Sequence, residues 1–239
     1  MQIAIVIYPG MTALDAIGPY EVLRSLPEAE LRFVWKEVGP IVTDSGVLVL
    51  GATHTLDETT RPDIVLVPGS SASTATQMAD TALLAWLRKV HPTTRLTASV
   101  CTGSLILAAA GLLEGRAATS HWAALPLLGQ FGVSARPNDR IVRDGKLWTA
   151  AGVSAGIDLS LAMVAELDSE EAAQVVQLMI EYDPQPPFDA GHMSKASAAV
   201  RRRAQNQTLR ASASPRELLA LPRVLVSRWL SVLFGKVRA

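Results

Sequence analysis

The sequence predicts an α/β fold, a mostly parallel β-sheet with helices on both faces, and three observations carry that prediction. Gln2 to Tyr8 (QIAIVIY) and Asp63 to Val67 (DIVLV) are apolar runs without polar alternation, as in strands buried on both sides. The intervals between strand-like runs carry helical spacing, which implies crossover connections and a parallel sheet. Three of those runs end in residues suited to turns or helix starts: Pro9-Gly10, Pro68-Gly69-Ser70 and Cys101-Thr102. In such sheets ligands bind beyond the carboxyl ends of the strands, so these junctions mark the expected site.

Taken in order, the first strand leads to a helix from Asp15 to Leu26, with Ile17, Tyr20, Val22 and Leu23 at helical spacing. Leu31 to Val38 reads as a strand. Ile41 to Leu50 reads as another, interrupted by Asp44-Ser45-Gly46. After the DIVLV strand, Thr76 to Val90 is amphipathic, and Pro92 ends it. Leu96 to Cys101 is a strand, Thr102 to Leu113 a helix stopped near Gly115, Ala117 to Ser120 a short strand, and Trp122 to Phe131 a helix. Arg140 to Ala151 reads as a hairpin turning at Asp144-Gly145. Helices over Ser154 to Leu167 and Glu170 to Tyr182 close the regular pattern.

Composition bounds the class. The 239 residues are 49% hydrophobic but only 5% aromatic, which describes an aliphatic globular chain, not a disordered one. No apolar run reaches the ~18 residues that a spanning helix needs. The N-terminal MQIAIVIYPG lacks a basic leader, and one cysteine cannot form an intramolecular disulfide, so a cytoplasmic location is expected. The net charge of zero is unevenly placed. From Arg201 onward there are nine Lys and Arg against one acid, Glu217, leaving a basic tail of +8 on an acidic body of −8.

That single cysteine, Cys101, stands between a strand and a helix. A free cysteine is often only a small core hydrophobe. Here the flanking SVCTG instead suits a nucleophile elbow, in which a sharp turn lifts the reactive atom above the sheet and Gly103 allows the tight turn. The helix behind it aims its N-terminal N–H groups at the sulfur, which favours thiolate. His54, His91, His121 and His192 show no metal-ligand spacing, and neither G-x-G-x-x-G nor a P-loop occurs at a strand–helix junction. No metal or cofactor is expected.

The stretches 8-YPGMTALDAIGPYEVL-23, 65-VLVPGS-70, 99-SVCTGSLILAAAGLLEGRAATSHW-122 and 182-YDPQPPFDAG-191 together resemble the ThiJ/PfpI superfamily, and within it the isonitrile hydratase-like branch. The resemblance covers about residues 1–195. It implies a flavodoxin-like, class I glutamine amidotransferase-like fold, a Cys101 nucleophile, Asp15 as the acid beside the thiol, and Thr102 as its partner. It further implies an oxyanion site from Gly69 and Ser70, with the Cys101 N–H as a second donor, and it implies a homodimer. Each residue has a plainer reading: Asp15 as an acid complementing a helix dipole, Thr102 as a helix opener, Gly69-Ser70 as an ordinary turn. His121 is expected to cap the helix that follows it or to face substrate.

The implied reaction is hydration of an isonitrile to an N-substituted formamide through a thioimidate. The same domain occurs in AraC-type regulators, but the residues after 195 are too few for their DNA-binding region, so nucleic acid is not an expected partner. A thiol-dependent glyoxalase or hydrolase is the other reading. Residues 196–239 are expected to be a basic extension, with an amphipathic cationic helix beyond Pro222 that docks on the acidic body or across a dimer, or touches an anionic membrane.

Overall fold

The computed structural model describes residues 1–213 together with 215, 217–220, 222 and 224. Its elements run β1 (Gln2–Val6), α1 (Ala13–Leu23), β2 (Glu30–Trp35), β3 (Gly39–Val42), β4 (Val49–Ala52), β5 (His54–Thr55), β6 (Ile64–Val67), α2 (Thr74–Met78) and α3 (Thr81–Val90). They continue with β7 (Leu96–Val100), α4 (Gly103–Ala109), β8 (Ala117–Ala118), α5 (Leu125–Gly129), β9 (Ser134–Ala135), β10 (Ile141–Asp144), β11 (Leu147–Ala150), α6 (Ala155–Leu167), α7 (Glu170–Met179) and α8 (Ala198–Ser212).

Seven strands form the main sheet in the order β10-β11-β7-β6-β1-β2-β5, parallel throughout except for the β10–β11 hairpin. The sheet is therefore of the expected α/β kind. Helices α1, α6 and α7 pack together in one layer, and α2 to α5 form the other. With both faces covered, every residue of β6 and β7 is buried, which explains the unbroken apolar runs. The chain leaves β1 toward β2 on one side and β6 and β7 on the other. The strand order thus reverses around β1, and a crevice opens at the carboxyl ends of β1 and β6.

Several boundaries differ from the sequence reading. Residues 41–50 are not one strand: β3 and β4 pair as an antiparallel hairpin apart from the main sheet. The helix expected over 76–90 is two, because Asp80 caps α3 by accepting the Leu83 N–H at 3.0 Å and so ends α2. Only Leu125–Gly129 of the helix expected over 122–131 forms. Residues 198–212, within the stretch expected only as a basic extension, form the fifteen-residue α8, capped by the Ser197 side chain at the Val200 N–H. Among the described residues, no helix is long and apolar enough to cross a membrane. The amphipathic helix expected beyond Pro222 lies outside the described residues, Val224 excepted.

Candidate active site

Three loops meet at the crevice: residues 8–12 after β1, 68–74 after β6, and 101–103 after β7. Cys101 has φ +59°, the left-handed region that costs a non-glycine residue roughly 1–2 kcal/mol. The surroundings enforce it. The carbonyl of Cys101 accepts hydrogen bonds from the Ser120 hydroxyl at 3.0 Å and the Ser104 hydroxyl at 3.3 Å. Its N–H is shared between the carbonyls of Ala150 and Ala151, both at 3.1 Å. Strand β7 therefore stops at Val100, and α4 starts only at Gly103.

Glycine is required on both sides of the elbow. A Cβ on Gly103 would lie 2.1 Å from the Val67 carbonyl oxygen, and one on Gly69 would lie 2.5 Å from the Thr102 nitrogen and 2.9 Å from the Cys101 Cβ. The two loops touch backbone to backbone, and this contact sets the Asp15–Cys101–Thr102 geometry.

Asp15 lies in the first turn of α1 and is fully buried. Its Oδ2 accepts the Gly69 N–H at 3.0 Å, while Oδ1 is buried without a nitrogen or oxygen donor. Burial pushes this carboxyl up to about 7, against the lowering pull of the Gly69 N–H and the Cys101 thiol. The thiol is pushed up as well, by its own burial first and then by the Asp15 charge; the Thr102 N–H and hydroxyl pull it down. Burial and the neighbouring acid outweigh the short helix behind the sulfur. The helix end was expected to favour thiolate; burial and the Asp15 charge push the thiol the other way.

Thr102 turns its hydroxyl away from its own helix. It accepts the Ser70 N–H at 2.8 Å, pairs with the Thr74 hydroxyl at 2.7 Å, and reaches the Ser70 carbonyl at 3.1 Å. The Ser70 hydroxyl ties the loops together by donating to the Gly10 carbonyl and accepting the N–H groups of Ala72 and Ser73.

In this arrangement each of the expected oxyanion N–H groups carries a hydrogen bond within the protein. The Ser70 N–H is spent on Thr102, the Gly69 N–H on Asp15 and the Cys101 N–H on Ala150 and Ala151. The Thr102 N–H is the backbone donor that faces the sulfur. His121 does not cap a helix, because α5 begins four residues later; its Nδ1 accepts only the Ala123 N–H, at 3.4 Å. Its ring lies over Gly152, where a Cβ would come within 2.3 Å of it, and burial lowers its pKa. No hydrogen bond joins it to Cys101, Asp15 or Thr102.

Sequence reasoning missed Ser120, Thr74 and Tyr8. Tyr8 is buried and donates to the Pro68 carbonyl at 2.9 Å. Its phenol is pushed up by burial and by the charges of Asp15 and Cys101, which places it in the same cluster. Ser120 stood within the recognised 99–122 stretch and carried a signal; Thr74 had none. Among the described residues, no group of three or more His, Cys, Asp or Glu is placed to hold a metal ion.

The DJ-1/PfpI family model matches residues 1–166. The chain belongs to the DJ-1/PfpI family. It is 43% identical over 203 residues to isonitrile hydratase from Pseudomonas putida, spanning 84% of this chain and 86% of that protein. It is 28% identical to the HTH-type transcriptional regulator CdhR from Pseudomonas aeruginosa over 172 residues, but covers only 50% of that protein. Among solved structures, a ThiJ/PfpI family protein from Pseudomonas syringae superposes with a TM-score of 0.85 at 40% identity, covering 92% of this chain and 90% of that one. Drosophila melanogaster DJ-1beta, at 20% identity, TM-score 0.69 and coverage of 75% and 97%, shares the fold.

Proposed function

We propose that this DJ-1/PfpI protein hydrates an isonitrile to an N-substituted formamide, with Cys101 as nucleophile. The observation that carries the reading is the pairing of an elbow thiol with a buried carboxyl whose pKa lies at about 7, so that a proton is transferable at neutral pH. The 43% identity to an isonitrile hydratase supports the choice of substrate.

The chemistry follows from proton ownership. Asp15 supplies a proton to the terminal carbon of R–N≡C as the Cys101 sulfur bonds to it. The thiol proton passes to the carboxylate so left, and the product is a thioimidate. Water then adds to the same carbon: Asp15 gives its proton to the substrate nitrogen and takes one from the water in exchange. Collapse breaks the carbon–sulfur bond, the sulfur regains its proton, and R–NH–CHO departs. The Thr102 N–H faces the sulfur and stabilises it whenever it carries charge, at attack and again at departure. The reading brings with it a small isonitrile partner, a homodimer and a cytoplasmic location, which the resemblance supports.

Purified protein should form the formamide from cyclohexyl isocyanide, and Cys101→Ala should form none while remaining folded. Turnover by Cys101→Ala, or none by the wild type, overturns the proposal. The likeness to CdhR favours a second reading, a ligand-binding domain without chemistry. Saturable isonitrile binding with no formamide, and no turnover of methylglyoxal, would decide for it.

A further inference from the structure

Glu217 is the one acid in the basic tail, and it is buried at 7% exposure. It lies outside the stretch that the family model matches, residues 1–166. Its carboxylate makes three hydrogen bonds to α2. Oε2 accepts the Ala75 N–H at 2.8 Å, while Oε1 accepts the Thr76 N–H at 2.9 Å and the Thr76 hydroxyl at 2.6 Å. A second tie, from the Ser212 hydroxyl to the Ser71 carbonyl at 3.1 Å, fastens the same segment to the loop after β6. Ala220 and Val224 are buried too, so the contact is not a lone polar pair.

What α2 carries is the important point. Thr74, its first residue and the one before Ala75, pairs with Thr102 at 2.7 Å and donates to the Ser70 carbonyl at 2.8 Å. Thr102 in turn lies against the sulfur. The Thr74 and Thr102 hydroxyls pair with each other and both donate to the Ser70 carbonyl, so the three groups form one closed network beside Cys101. The placement of Thr74 therefore bears directly on the placement of the Thr102 hydroxyl.

We propose that Glu217 is a positioning residue of the active site: by gripping the Ala75 and Thr76 amides from the C-terminal segment, it fixes Thr74 and so holds the Thr102 hydroxyl in its place beside Cys101. The inference rests on the reading of Cys101 as a reactive thiol with Thr102 as its partner, but not on the identity of the substrate. It also makes the tail part of the site.

The test is the pH profile of Cys101 alkylation by iodoacetamide between about pH 6 and 10, which needs no isonitrile. The proteins are wild type, Glu217→Ala, Glu217→Gln, Thr102→Val and the double variant Glu217→Ala/Thr102→Val. Losing the Thr102 hydroxyl bond removes support for thiolate, so the profile of Glu217→Ala moves to higher pH. On the low-pH limb its rate falls roughly threefold to tenfold. Glu217→Gln keeps an acceptor for Thr76 and loses the one for Ala75, so it falls between. In the Thr102→Val background the Glu217 change has no further effect on the midpoint. A Glu217→Ala profile with the wild-type midpoint, or an equal displacement with and without the Thr102 hydroxyl, overturns the proposal. Should Glu217→Ala fail to fold, the same comparison with Glu217→Gln decides. Absence of hydratase activity in every protein would refute the proposed reaction and leave this result standing.

Discussion

Replacing Asp15 by Asn separates the electrostatic cost of the site from its packing. The carboxyl titrates near 3.8 in the unfolded chain and at about 7 in the folded one, because burial opposes its charge. A group whose folded pKa is raised stabilises fully below its unfolded value, and that contribution is lost as pH rises through the folded value. The gap corresponds to about 4 kcal/mol, present at low pH and gone above pH 7. Asn is nearly isosteric, cannot ionise, and can still accept the Gly69 N–H through its oxygen. Urea unfolding of wild type and Asp15→Asn at about pH 4 and pH 8 should therefore show a stability difference that moves by roughly 3–4 kcal/mol in favour of the variant at the higher pH. The upper pH stays below the range in which the thiol begins to ionise, and every other acid is common to both proteins. Asp15→Asn should also lose turnover. A stability difference that stays constant between the two pH values would refute the argument, because it would mean that Asp15 is not buried against its charge.

Two substitutions test the elbow. At an ordinary position Gly destabilises relative to Ala by roughly 0.5–1 kcal/mol; at φ +59° that order should vanish or reverse, so Cys101→Gly is at least as stable as Cys101→Ala by urea unfolding. A Gly variant weaker than Ala by the usual amount would remove the case for strain. Gly103→Ala forces a methyl against the Val67 carbonyl at 2.1 Å, with backbone on both sides and no flexible end to yield. It should cost at least about 3 kcal/mol and disable Cys101 alkylation, and near-wild-type stability would show that the two loops are not locked.

The parts of the site that follow from local pattern were legible in the sequence. Buried parallel strands are written as apolar runs, and their ends fell where Gly69 and Cys101 stand, because strand length and turn residues are local. Helix boundaries were less legible where a side chain broke a continuous apolar face, as Asp80 does between α2 and α3. The hairpin at 39–52 was misread because β-propensity does not say whether a turn inside a run joins strands or interrupts one. The hydrogen bonds of the expected oxyanion donors were not legible for a deeper reason. Any strand-end N–H is a plausible donor in sequence, and only the folded chain shows which are already spent. Ala75 and Glu217 meet across 142 residues of sequence separation, and no window of sequence holds both ends of such a contact.

The proton between Asp15 and Cys101 explains why the site tolerates so costly a carboxyl. A thiolate held permanently beside a buried carboxylate would place two negative charges within a few ångströms, at low dielectric, with the Thr102 N–H as the donor facing the sulfur. Because burial pushes the thiol up, ionising Asp15 alone puts a single charge in the pocket as pH rises past about 7. Attack starts from the protonated Asp15 and passes protons round the pair without leaving a net charge. The consequence is a window set by the pair and not by either residue. Below the Asp15 value of about 7 the pair is fully protonated and needs substrate to accept a proton before sulfur is activated; well above it, no acid remains for the isonitrile carbon. Cofactor-free addition to a neutral, weakly electrophilic carbon needs the protonated Asp15 that a value of about 7 supplies near neutral pH. A carboxyl with an ordinary pKa near 3.8 would be almost entirely ionised at neutral pH, and burial at the start of α1 corrects that.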